Sequence, residues 1–227
     1  MKRPILPTLF RDLRRNDSGL ALIEFAYALP ILCVLSMGGI ELANYALMNM
    51  RVSQAAMQIS DNASRIGDRD ALATQRIFEG DIVDIFTGVE IQAGQRADLF
   101  EQGRVILSSL EQNSEGGQWI HWQRCMGKKR VESAYGGQGT GASGTDFPGM
   151  GPAGNELQAA PSQAVMYVEI IYDYEPLITN DFAVQFVTSK TIRSESAFNV
   201  RGTRDLARIY QTPDPAPVRD CDQYTSE

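Results

Sequence analysis

Histidine is almost missing from this chain: of 227 residues, His121 is the only one. That excludes an HExxH motif and any two-histidine metal site. A Ser-His-Asp triad would have to use His121 itself, which lies between Trp119 and Trp122 in a strand-like run and reads as part of a sheet face. A Walker A loop is lacking too, because no glycine is followed by Lys-Ser or Lys-Thr at the required place. Basic charge is in short supply, with 21 Lys and Arg against 28 Asp and Glu. Five of those basic and two of those acidic side chains fall within residues 1–19, so the rest carries 16 basic against 26 acidic groups, net −10. A body this acidic has no electrostatic footprint for nucleic acid.

What remains of chemical motifs is weak. Gly139-Thr140-Gly141-Ala142-Ser143-Gly144 spells GxGxxG, but the dinucleotide motif needs a strand before it and a helix after it, and this one lies in a glycine-rich loop with Pro148 and Pro152 beyond. Asp173 with Glu175, and Asp81 with Asp84, could each meet a cation but lack the ligand-dense loop of an EF-hand, so a solvated acidic surface is expected. No metal, no cofactor and no enzyme activity are expected.

One long apolar run is present. Leu20 to Ile40 holds about 21 residues with one charge, enough at a 1.5 Å rise to cross a hydrocarbon core of roughly 30 Å. Lys2, Arg3, Arg11, Arg14 and Arg15 precede it against Asp12 and Asp17, which places the N-terminus in the cytoplasm and the remainder outside. A cleaved signal peptide would carry a small-x-small site after the run, whereas here the run passes into Glu41-Leu42-Ala43-Asn44-Tyr45. The cleavable boundary is instead in front of it, at Ser18-Gly19-Leu20, where glycine permits close backbone approach. The single charge is Glu24. A carboxylate at the bilayer centre costs about 2.5–3.5 kcal/mol, so an intramembrane acid is a functional candidate.

Gly19, the four apolar residues Leu20-Ala21-Leu22-Ile23, then Glu24 and Phe25, behind a basic leader, resemble the processing signature of type IV prepilins. With Ala26-Tyr27-Ala28-Leu29-Pro30 and Gly38-Gly39-Ile40-Glu41, the stretch is similar to TadE-like minor pseudopilins of tight-adherence (Flp-type IVb) pilus systems, over roughly the first third of the chain. The resemblance implies cleavage after Gly19 by a membrane prepilin peptidase, with Leu20 as the new N-terminus. It also implies that Glu24 pairs with the amino terminus of a neighbouring subunit, neutralising two charges that hydrocarbon penalises. The partners implied are that peptidase, the major Flp pilin, a sibling pseudopilin and the inner-membrane assembly platform. The other reading of the same residues is an uncleaved signal anchor, whose Glu24 snorkels to the headgroups, carrying a periplasmic binding domain.

The expected layout is α+β: a leader at 1–19, a transmembrane segment at 20–40, a periplasmic continuation of the helix at 41–67, a pilin-like domain with an antiparallel sheet at 68–210, and an irregular tail at 211–227. Leu42, Tyr45, Asn49, Val52, Ala56, Ile59, Ala63 and Ile66 step by three and four, one helical stripe that Gly67 should end. A second helix is read over Asp70–Phe86, interrupted by Gly80. Val105–Leu107 and Trp119–Trp122 flank the turn cluster Asn113–Gly117 as a hairpin, and Gly136–Ala160 reads as a long loop. Val165–Tyr174, Phe182–Thr188 and Lys190–Val200 read as further strands, with Trp119, Trp122, Tyr167, Tyr172 and Tyr174 as core or cross-strand aromatics. Cys33 falls in the apolar run as a small hydrophobe. Cys125 and Cys221 lie in the outward part, where an oxidising periplasm makes them candidates for a disulfide holding the tail; two unrelated thiols is the alternative.

Overall fold

A computed structural model of the chain describes residues 18–67, 74–94, 97–177 and 190–226. The leader up to residue 17, the strand expected over 182–188 and the opening of the second helix at 70–73 lie outside the described residues. The elements in chain order are helices α1 (Ser18–Arg65), α2 (Glu79–Ala93) and α3 (Leu99–Gln102), then strands β1 (Gly103–Gln112), β2 (Gln118–Met126), β3 (Val165–Asp173) and β4 (Thr191–Asn199). This is the expected α+β arrangement, a long N-terminal helix followed by an antiparallel sheet.

The chain divides into two compact units, Met1–Tyr45 with Pro176–Thr188, and Ala46–Glu175 with Ser189–Glu227. In the first, α1 carries the long apolar run, many of whose side chains stand open: Leu22, Phe25, Ile31, Leu32 and Leu35 are each at least 60% exposed, while Glu41 behind the run is fully buried. By length and composition α1 is able to cross a membrane. It runs on through Pro30 without a break. Water is the one surrounding this surface does not suit.

In the second unit, α1 changes character. Met48, Val52, Ala55, Ala56, Ile59 and Ala63 are buried, while Arg51, Gln54 and Arg65 stand in solvent. Val52, Ala56, Ile59 and Ala63 are thus the buried part of the expected stripe; Leu42, at 56% exposure, does not share it. Two serines on this face were not foreseen. Ser60 donates to the Ala56 carbonyl at 2.8 Å and lies 2.8 Å from the Ser196 hydroxyl, which ties α1 to β4. Gly67 follows the helix at φ +125°, and a Cβ there would stand 2.8 Å from the Arg76 carbonyl oxygen, so glycine is required.

The second helix begins later than the sequence suggested. Gly80 does not interrupt α2 but occupies its first turn, and the Asp81 carboxylate accepts the Phe78 N–H at 2.9 Å, the reciprocal half of a capping box. Before it, residues 75–78 run parallel to 203–210 through bridges Gln75–Arg204 and Phe78–Tyr210.

The sheet has the order β2-β1-β3-β4, antiparallel throughout. Its two central strands, β1 and β3, carry nearly continuous burial because both faces are covered there. On one face, Leu110, Ile120, Val165 and Tyr167 pack with Met150 and Ala159 of the long connection, backed by Tyr135 and Phe147. The same face holds Ile106, Cys125 and Ile171 next to Cys221. On the opposite face lie Val105, Leu107 and Ser109 of β1, with Arg124 of β2 reaching α2 and Ser196 of β4 reaching α1.

The glycines of the connection serve close approach. Asn113, in the hairpin turn, donates to the carbonyls of Gly141 and Gly144 at 2.9 and 2.8 Å. A Cβ on Gly141 would lie 2.2 Å from the Gln118 carbonyl oxygen. The GxGxxG letters therefore describe a loop folded against the hairpin end.

Candidate functional site

The expected processing residues stand together at the start of α1. Gly19 is the second of the described residues of α1. It is exposed, and a Cβ built on it meets nothing within 4 Å. Leu20, Leu22, Ile23 and Phe25 are 53–72% exposed, and Glu24 is exposed as well. Among the described residues nothing hydrogen-bonds or ion-pairs with Glu24. Leu20 and Glu24 are four residues apart, hence on one stripe about 6 Å apart along the axis. Cleavage after Gly19 would leave an amino terminus one turn from a carboxylate, both on a surface the chain itself does not cover.

The domain's own polar chemistry is internal. Ser109, Glu111 and His121 form a buried group, with the Glu111 carboxylate taking the Ser109 hydroxyl at 2.7 Å and facing His121 Nδ1 at 2.8 Å. Both neighbours converge on the acid and the serine does not address the imidazole, so the group lacks the order of a nucleophilic triad. His121 is the extra residue where register shifts between Ser109 and Leu110, and its ring stacks on Trp119 at 4.3 Å. Of the remaining strand aromatics, Trp122, Tyr167, Tyr172 and Tyr174 are buried.

The acids read as surface pairs are partly employed. Asp173 accepts from Thr191 at 2.8 Å and pairs with Lys129, while Asp81 holds the start of α2; Glu175 and Asp84 are exposed. Among the described residues no group of three or more His, Cys, Asp or Glu is placed to hold a metal ion.

Several buried charges escaped sequence reasoning. Glu79 and Arg124 form a bidentate pair between α2 and β2, 4% and 8% exposed. Arg204 donates to the carbonyls of Ala63 and Ile66 at 3.0 and 2.7 Å, a cationic cap on the C-terminal end of α1. Burial draws its guanidinium pKa down to about 10. Arg104, 1% exposed, donates to the carbonyls of Gly127, Cys221 and Gln223. The one available signal was position: Arg104, Arg124 and Glu169 each sit inside an otherwise strand-like run, where a charge must find a partner.

Glu169 is a fully buried acid of the sheet. It accepts from the Ser133 hydroxyl and from the Ala134 N–H at 3.0 Å, and stands opposite Glu195 in register. Glu195 accepts from Tyr135 and Tyr167 at 2.7 and 2.6 Å. Burial raises the Glu169 pKa and the Glu195 charge adds to it, against the opposing pull of Ser133, Ala134 and Arg193. A carboxyl with a raised folded-state pKa stabilises fully below its unfolded value and loses that contribution as pH climbs through the folded value. Glu169→Gln removes the titration, so the melting temperature of the variant minus that of wild type should rise between pH 4 and pH 8. A difference flat with pH would show that Glu169 is ionised in both states.

Cys125 and Cys221 form a disulfide across 96 residues, and Cys33 is a free, exposed thiol on α1. Residues 211–226 contain no helix or strand but are held in place. A cleft of about 590 Å³ beside the disulfide is lined by Arg104, Gln123, Ser133, Gln138, Asp220 and Tyr224, among others.

Residues 19–61 match the family described as TadE-like protein, beginning at the glycine of the expected cleavage site and ending within α1. No curated protein and no solved structure matches the chain. The chain therefore carries a TadE-like N-terminal segment, and the sheet lies beyond it.

Proposed function

We propose that this chain is a pilus-associated protein of the tight-adherence type: a minor pseudopilin made as a prepilin, cleaved after Gly19 and used to build or prime the pilus for surface adhesion. The observation that carries the reading is the TadE-like segment, which starts at Gly19 and contains Glu24 and Phe25. The exposed apolar run in the first half of α1 supports it, since such a surface suits a bilayer before assembly and a bundle of like helices after it. The partners are a prepilin peptidase, the major Flp pilin, a sibling pseudopilin and the inner-membrane platform. The protein sits in the inner membrane with its N-terminus cytoplasmic and its acidic domain periplasmic. Chemistry is done to it at Gly19 rather than by it.

Intact mass of the membrane-extracted protein, made alongside its native peptidase, tests the reading; the expected species begins at Leu20. Full-length chain throughout would leave a membrane-anchored periplasmic binding domain as the better account. Glu24→Ala then separates processing from assembly. It should still be cleaved yet fail to co-isolate with the sibling pseudopilin, because the neighbour's amino terminus has lost its counter-charge. Undiminished co-isolation would remove Glu24 from the proposed site.

A further inference from the structure

One edge of the sheet is closed by chain that is not strand. β2 pairs with β1 on one side only, yet four N–H groups along its outer side and just past its end are taken. Ile120 donates to the Thr140 carbonyl at 2.9 Å and Gln123 to the Gln138 side chain at 3.2 Å. Cys125 donates to the Arg219 carbonyl at 2.8 Å and Gly127 to the Thr225 carbonyl at 2.7 Å. The first two acceptors follow β2 closely in the chain. The other two come from the far C-terminal segment, whose one covalent tie is Cys221 to Cys125, in the middle of the edge it covers.

Beneath that segment lies Arg104, which donates to the Cys221 and Gln223 carbonyls and meets the Tyr224 ring at 4.1 Å. Its Nε–H has no acceptor, so the guanidinium is incompletely matched by the segment that buries it. Ser226 adds one exposed bond to Glu101 at 2.7 Å. With Asp220 3.4 Å from Arg124 and the Arg130 guanidinium 5.5 Å from the Tyr224 ring, these contacts place the segment, but it has no helix or strand of its own and its covalent tie sits among them.

We propose that residues 219–226 are a redox-latched strap that closes the β2 edge, with the Cys125–Cys221 bond as its latch. Closing the latch oxidises two thiols. A thiolate of one cysteine attacks the disulfide of a dithiol oxidoreductase, the other cysteine's thiolate attacks the mixed disulfide, and the oxidoreductase departs as a dithiol with both electrons and both protons. In a reducing compartment the outward N–H groups of Cys125 and Gly127 stay open, an unprotected strand edge; in an oxidising one the edge is sealed. Completion of the domain is thereby tied to export, independently of any processing at Gly19.

Amide hydrogen exchange on the full chain in detergent micelles tests this, oxidised, then reduced by a small dithiol under native conditions, then reoxidised. On reduction, exchange at Cys125 and Gly127 and across 219–226 should accelerate by roughly tenfold or more, as for a segment that opens locally while the sheet stays folded. Ile120, Gln123 and the amides of β1 and β3 should keep their protection, and reoxidation should restore the rest. Cys221→Ser should reproduce the reduced pattern without reductant. Retained protection at Cys125 and Gly127 after reduction would overturn the proposal, as the strap would then hold by its non-covalent contacts without the latch. Equal loss across β1 and β3 would overturn it too, making the bond a staple for the whole fold.

Discussion

A Gly19→Ala chain produced with its native peptidase should remain at full length, its yield of species beginning at Leu20 cut by roughly a hundredfold or more, the scale on which misplacing a reacting bond acts. The structure makes this a clean experiment. A methyl at Gly19 meets nothing within 4 Å, and the residue lies in a helix, which alanine favours over glycine. Neither the fold nor membrane insertion supplies a reason for Gly19→Ala to do harm. Gly67 is the contrast, where a Cβ would collide with Arg76 and the same substitution would damage the domain directly. Loss at Gly19 thus reports a partner whose site admits only hydrogen at that position. Intact mass reads the outcome, with melting temperature expected to stay within about 1 °C, as for surface substitutions generally. Normal cleavage of Gly19→Ala would sink the prepilin reading, because an anchor needs only to be apolar.

Local pattern and long-range pairing were unequally legible in the sequence. The long helix could be read because its signals are local: an apolar run, then Val52, Ala56, Ile59 and Ala63 in helical steps, then glycine. The hairpin was marked by Asn113–Gly117, although β1 runs five residues past Leu107 through Ser108, Ser109 and Glu111. Those polar residues stay in the strand because Gln123 and His121 across the hairpin bond to them, and no local signal shows that. The second helix starts at Glu79 rather than Asp70, because residues 75–78 pair with 203–210 instead, and Gly80 falls in its first turn, which lacks intrahelical N–H bonds, so glycine costs little there. The candidate site was the reverse of the domain. Gly19 and Glu24 stand out by motif while making no contact that the structure would reward, since what they imply is a partner. The buried charges make many contacts and stand out by nothing except their position inside apolar runs.

Of those charges, the Glu79–Arg124 pair should matter most to stability. Glu79 enters at the first residue of α2, where a carboxylate also suits the positive end of the helix. It meets Arg124 Nε at 2.9 Å, and both side chains are nearly excluded from water. Glu79→Ala leaves the guanidinium with the Gln123 carbonyl at 2.9 Å, the Gln138 side chain at 3.3 Å and the half-exposed Asp220 at 3.4 Å. Removing one partner of a buried pair costs about 3–5 kcal/mol, and Asp220 should hold the loss to the lower end of that range. For a domain of this size that is a fall of roughly 10 °C in melting temperature, and a large part of a total stability of about 5–15 kcal/mol. The cost belongs to the stranded cation rather than to the pair as such. Replacing both residues, Glu79→Leu with Arg124→Met, should therefore recover most of it, since an apolar contact of similar volume removes both desolvation penalties. Thermal unfolding of wild type, both single variants and the double variant closes the cycle. A single variant within about 1 kcal/mol of wild type would mean that Asp220 or water replaces Glu79 freely, and that the α2–β2 contact is held by its apolar residues alone.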